Sequence, residues 1–189
     1  MLNAGFQRSL DFTSPETVSL TSVTSELNTN YLSPVYTVTH FLSHLTSVGP
    51  SPASIILVSS GLALVPLPRC PNYCATKAAI HSLAWSLRAQ LSSPSSPQTN
   101  HIRVVEIIPP AVQTELHPQQ EDLVAKGQHR IGLLLEPYAD ETWNSLKSDE
   151  DLDEILSSVH AARLGHIDDT KKQVFDEMMA FMAKQGLTA

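Results

Sequence analysis

Two neighbouring stretches decide the fold: Ser54-Ile55-Ile56-Leu57-Val58-Ser59-Ser60 and, across a Pro-rich loop, Pro71-Asn72-Tyr73-Cys74-Ala75-Thr76-Lys77. The first is a short continuous apolar run with β-branched members, which predicts a strand covered on both faces, as parallel sheets produce. The loop from Pro66 to Pro71 leads into a predicted helix, Ala75 to Leu91, whose apolar stripe is Ile80, Leu83, Ala84, Leu87 and Leu91. Its other face is small: Ala78, Ala79, Ser82, Ser86 and Ala89. Upstream, Pro34 suits the first turn of a helix with Val35, Val38, Phe41, Leu42 and Leu45 on one face, ending near Gly49-Pro50. Downstream, a Ser/Pro loop from Ser92 to Thr99 precedes Ile102-Arg-Val-Val-Glu-Ile-Ile108, a second buried strand closed by Pro109-Pro110. Helix, strand, helix, strand predicts an α/β fold with right-handed parallel crossovers.

Further out the pattern weakens. Ser14-Pro15 reads as a helix N-cap and its first-turn proline. Glu136 to Leu146 is predicted helical, Asp153 to Ser157 is a candidate last strand, and Thr170 to Lys184 is an amphipathic helix with Val174, Phe175, Met178, Phe181 and Met182 inward. Eight of the 19 acidic residues fall between Glu136 and Glu154, which reads as a solvated surface segment rather than an ion site. With 189 residues the chain suits a single domain. A net charge of −7 and scattered basic residues give no stripe for nucleic acid and no polybasic membrane anchor. The most apolar stretch, Ser54 to Leu67, is broken by Ser59, Ser60, Gly61 and Pro66 and cannot span a bilayer; no signal-peptide pattern opens the chain, so a cytoplasmic location is expected.

Tyr73 and Lys77 stand at i and i+4, so at a helix start they share one face with the ammonium within reach of the phenol. In a chain with four Tyr and six Lys, chance supplies about 0.13 such pairs, so the spacing needs its context. Ser60 provides it. It stands 13 residues before Tyr73 and directly after a buried strand, where α/β sheets place their ligands. Cys70 and Cys74 read as small buried or loop thiols rather than a redox or zinc site. His40, His44 and His81 read as packing or surface residues, Trp85 as helix packing, and Ser59 as the end of its strand.

In this order, Asn3-Ala4-Gly5, Asn30, Ser60 with Tyr73-x-x-x-Lys77, and Pro109-Pro110-Ala-Val112-Gln-Thr114 resemble the motifs of the short-chain dehydrogenase/reductase family over residues 1 to about 116. The resemblance implies a Rossmann-type sheet and hydride transfer between NAD(P) and a carbonyl or alcohol substrate. It implies that Tyr73 donates or accepts the proton, and that Lys77 lowers the phenol pKa and holds the nicotinamide ribose. It further implies that Ser60 polarises the carbonyl and that Asn30 holds a water of the proton relay. On the cofactor it places Thr114 at the carboxamide and Asn3, Ala4 and Gly5 on the adenosine side, with Pro109 and Val112 beside it. NAD and NADP fit these motifs equally.

The chain also departs from the family. Pro109-Pro110 stands where members usually have Pro-Gly, which removes a flexible glycine and a backbone N–H. No Gly-x-x-x-Gly-x-Gly occurs among the seven glycines, so the loop that binds the pyrophosphate is missing. The expectation is a partial Rossmann fold without its first three βα units, with the Ile55-to-Val58 strand becoming a sheet edge. Residues 115–152 fall where the family has its substrate lid. Two outcomes follow for function: an oxidoreductase of this family, or an inactive remnant acting as an interaction or regulatory subunit. The resemblance further implies dimerisation through the helix after Asn30 and the helix carrying Tyr73, as a homodimer or with a full-length relative.

Overall fold

Three parallel strands, β1 (Ala53–Val58), β2 (Ile102–Ile108) and β3 (Glu154–Leu156), lie in the order β1-β2-β3 in the computed structural model, which describes residues 1–49, 51–148 and 152–187. The helices are α1 (Leu20–Leu27), α2 (Ser33–Ser47), α3 (Pro71–Leu91), α4 (Glu121–Ala125), α5 (Leu135–Lys147), α6 (Ser158–Leu164) and α7 (Asp169–Lys184). Both apolar runs read as buried strands are strands, and their alternate residues go to opposite faces. Ile55, Leu57, Ile102 and Val104 pack against Ile80, Ala84, Leu87 and Leu91 of α3, with Val38, Leu42 and Leu45 of α2 beside them. On the other face Val105, Ile107 and Ile155 meet Leu146 of α5 and Leu152. The outer edge of β1 carries a bridge to Leu2, whose N–H donates to Ile56 O at 2.7 Å and whose carbonyl accepts from Val58 N at 3.1 Å. Among the described residues, no helix is long and apolar enough to cross a membrane.

Several sequence expectations are revised. Ser14-Pro15 opens only a 3₁₀ turn, Pro15–Thr17; the helix behind it starts at Leu20, with the Ser19 side chain accepting from Ser22 N at 3.2 Å. Helix α1 then runs without a break through a wide π turn, Asn28–Leu32, into α2. Phe41 is 58% exposed, because α2 turns Val38, Leu42 and Leu45 to the core instead. In α7, Val174, Met178 and Phe181 face outward, while Phe175 packs edge-on against Trp85 with ring centroids 5.5 Å apart. The Lys172 ammonium on Glu154, at 3.0 Å, fixes that rotation. Pro50 and residues 149–151, part of the expected helix stop and of the acidic segment, lie outside the described residues.

Candidate active site

Helix α3 starts at Pro71, whose fixed φ suits a first turn, so Tyr73 and Lys77 fall one turn apart on the face turned to the sheet. Both are buried, at 6% and 4% exposure. Ser60 follows the carboxyl end of β1; its Oγ accepts from Leu62 N at 3.1 Å, and it lines the same cavity wall as Tyr73. The next residue must be glycine: a Cβ on Gly61 would lie 2.3 Å from the His160 ring of α6. The Lys77 ammonium donates to Val58 O at 2.9 Å and lies 5.6 Å from the Tyr73 ring centroid. The strand end, the helix start and the loop after β1 therefore bring Ser60, Tyr73 and Lys77 together.

Asn30 joins them from the π turn, a local widening often found at functional positions. Its amide is committed to the chain itself: Oδ1 accepts from Phe6 N at 3.0 Å, and Nδ2 donates to Phe6 O at 2.9 Å and to Thr76 Oγ1 at 3.1 Å. This clamps the segment after Asn3 over the site. A Cβ on Gly5 would meet Asn30 Oδ1 at 3.1 Å and Lys77 Nζ at 3.6 Å, so the backbone approaches closely there.

Burial pushes the Tyr73 phenol above its ordinary value; the Ser60 hydrogen bond pulls it back, while Cys70, Cys74 and Glu26 push it further up. The lowering expected from Lys77 is not among these effects: burial of the phenol is the largest of them. Burial likewise takes Lys77 down to about 8, with Glu106 opposing.

These residues face a cavity of about 1210 Å³. Asn3, Gly5, Pro109, Val112 and Thr114 line it with Ser60, Tyr73 and Lys77, whereas Ala4 is exposed and outside the lining. Its far wall is apolar, with Leu123, Leu135, Tyr138, Trp143 and Leu146 from residues 115–148. Sequence reasoning missed how this wall is tied down. Arg69, just before α3, donates through Nε and Nη2 to both oxygens of Asp122 at 2.9 and 2.7 Å, and through Nη2 to Gln120 Oε1 at 2.7 Å. Gln120 Nε2 in turn donates to Gln7 Oε1 at 3.0 Å. Arg69 and the lone basic position before a helix were visible in the sequence, but their partners lie more than 50 residues away.

Cys70 and Cys74 are free and buried, and burial pushes the Cys70 thiol up to about 12, so it is a poor nucleophile. Trp85 is a packing residue, as its position suggested, with Nε1 donating to Glu154 Oε1 at 2.7 Å. His81 packs too, but as part of a buried ionic cluster: its Nδ1 is 3.0 Å from both carboxylate oxygens of Glu106. The signal was a glutamate in the middle of an apolar strand.

The short chain dehydrogenase family model matches residues 1–123. An uncharacterized oxidoreductase of Bacillus subtilis strain 168, DltE, is 37% identical over 145 residues, covering 77% of this chain and 53% of the relative. The chain thus spans about half the length of that relative. A short-chain dehydrogenase from Sphingobium yanoikuyae, solved with NADPH, superposes with a TM-score of 0.72 at 19% identity, over 92% of this chain and 63% of its own. A ketone-specific alcohol dehydrogenase from Comamonas testosteroni gives 0.68 at 20% identity, over 93% and 61%. At these identities the structures speak for the fold, and the sequence match speaks for descent: the chain belongs to the short-chain dehydrogenase family.

Proposed function

We propose that these residues form the proton-transfer side of an NAD(P)-dependent oxidoreductase acting on a carbonyl/alcohol pair in the cytoplasm. The observation that carries this reading is the convergence of Ser60, Tyr73 and Lys77 on one cavity wall. In it, Ser60 holds the substrate oxygen, Tyr73 gives it a proton in reduction and takes one back in oxidation, and Lys77 supplies the neighbouring charge. Asn30 supports the proton relay by fixing residues 3–6 beside Lys77.

The residues present fit the nicotinamide end of the cofactor. The buried Lys77 ammonium uses one donor on Val58 O and has others for ribose hydroxyls, and the close backbone at Gly5 leaves the wall open beside it. Thr114, exposed after β2, suits the carboxamide, with Pro109 and Val112 behind it and Asn3 towards the adenosine side. When bound, the cofactor supplies or takes the hydride. The 189 residues hold no Gly-rich turn for the pyrophosphate. Activity is therefore tested in a chimera that places a Gly-rich phosphate-binding strand–turn–helix segment ahead of Asn3. The expected result is NADH- or NADPH-dependent reduction within a panel of apolar aldehydes and ketones, matched to the apolar far wall. Cofactor binding without turnover on any of them would contradict the reading. We assign residues 115–152 as the substrate lid, latched by Arg69 and Asp122.

A second reading, that the chain acts as a binding subunit, draws on a different observation. Ala78, Ser82 and Ser86 of α3 are exposed and Ala79 and Ala89 half-buried, a small face that permits close helix approach. We propose that it pairs with its own copy or with a full-length relative across a two-fold axis. Replacing Ala79 and Ser82 together by Arg should abolish association in sedimentation while leaving far-UV helicity unchanged. An unchanged sedimenting species would contradict this interface.

A further inference from the structure

Glu106 sits in the middle of β2, fully buried between Val105 and Ile107. An unpaired carboxylate there would be strongly unfavourable, so its partners define its purpose. In the parallel register Glu106 pairs with Leu57, the residue before Val58, whose carbonyl holds the Lys77 ammonium at 2.9 Å. Adjacent strands are about 4.8 Å apart. Helix α3 sets Lys77 and His81 one turn apart on its buried face, and His81 Nδ1 lies 3.0 Å from both Glu106 oxygens. On the far side of the ring, Asp168 Oδ2 at the start of α7 is 3.1 Å from Nε2, a charge contact without hydrogen-bond alignment. Lys77, Glu106 and His81 are buried and Asp168 is partly so, and basic and acidic groups alternate in the order Lys77, Glu106, His81, Asp168.

We propose that Glu106 is a positioning residue for the chemistry at Tyr73, holding the positive charge on Lys77 from behind the cavity wall, with His81 and Asp168 fixing its carboxylate in place. This rests on the hydride-transfer reading for its purpose, though not for its test. Glu106 does not line the cavity, so it acts through Lys77 rather than on a ligand. Burial draws the proton off Lys77, and Glu106 is the charge that opposes it. For His81, burial also opposes the charged form, but Glu106 and Asp168 outweigh it, with Lys171 of α7 working against them. Tyr73 and Cys74 are the remaining buried titratable groups of α3. His81, Glu106 and Glu154 lie close enough to suggest a metal, but the two Glu154 oxygens already take Trp85 Nε1 and the Lys172 ammonium, which puts a cation where the ion would sit.

The test is the titration of Lys77 in the 189-residue chain, followed by NMR of ¹³C-labelled lysine and assigned by the signal lost in Lys77→Met. Glu106→Gln should move the Lys77 midpoint down by about one pH unit, a roughly tenfold loss of proton affinity, and Glu106→Asp should leave it near the native value. Should Glu106→Gln fail to fold because His81 loses its counter-charge, the double variant Glu106→Gln/His81→Gln removes both charges and should still lower the midpoint, by less because a positive neighbour goes with the carboxylate. An unshifted midpoint in either variant overturns the proposal. No cofactor or turnover enters this measurement, so a shifted midpoint beside an inactive chimera would count against hydride transfer and leave only the hold of Glu106 on the Lys77 charge standing.

Discussion

Titrated with NADH or NADPH, the 189-residue chain is expected to bind with a dissociation constant weaker than about 1 mM, against micromolar binding by the chimera, a difference of about 4 kcal/mol or more. The reason lies in how the two ends of a dinucleotide are held. Its pyrophosphate is bound by the backbone N–H groups of a Gly-rich turn at a helix N-terminus. None of the seven glycines stands in that spacing. What remains is the nicotinamide end, with Lys77, Thr114 and the close approach at Gly5. Those few contacts must also offset the lost freedom of a large flexible ligand. Fluorescence or calorimetric titration decides the matter, and micromolar binding by the 189-residue chain would contradict it.

Loss of the Tyr73 hydroxyl should have the other large effect. Phenylalanine keeps the ring that packs with Cys70, Cys74, Leu62 and Leu116 and deletes the proton donor beside Ser60. General acid catalysis by a positioned group supplies roughly 10²–10⁴-fold, so kcat in the chimera should fall by at least about 100-fold. The pH dependence follows from the raised phenol. A group whose pKa is pushed up keeps its proton through neutral pH, so carbonyl reduction should hold from neutral into alkaline solution. Alcohol oxidation needs the deprotonated form and should rise with pH across the same range. Rates measured in both directions from pH 6 to 10 check this; oxidation falling with pH would show that another group is the base.

The elements legible in the sequence were those whose identity rests on local spacing. Ile102–Ile108 is a strand because five of its seven residues are β-branched and apolar, and it carries that reading whatever surrounds it. Tyr73 and Lys77 meet because one helical turn separates them. Details set by distant partners were not legible. In α7 the apolar residues span more than one face, so Trp85, 90 residues before Phe175, and Glu154, 18 before Lys172, choose which of them turn inward. Asn30 was found by motif, yet its amide serves Phe6 and Thr76, at separations of 24 and 46 residues. Glu106 was read only as one residue of a buried strand; the packing of α3 supplies His81 against it, and α7 brings Asp168 to the far side of that ring.

The claim that Tyr73 is the proton donor of a hydride-transfer site is tested most directly by measuring kcat and cofactor affinity side by side for the chimera and its Tyr73→Phe variant. The account predicts a kcat lower by at least about 100-fold with an NADPH or NADH dissociation constant within about twofold of the unsubstituted chimera. Turnover retained near the unsubstituted rate, with cofactor bound equally well, would contradict it.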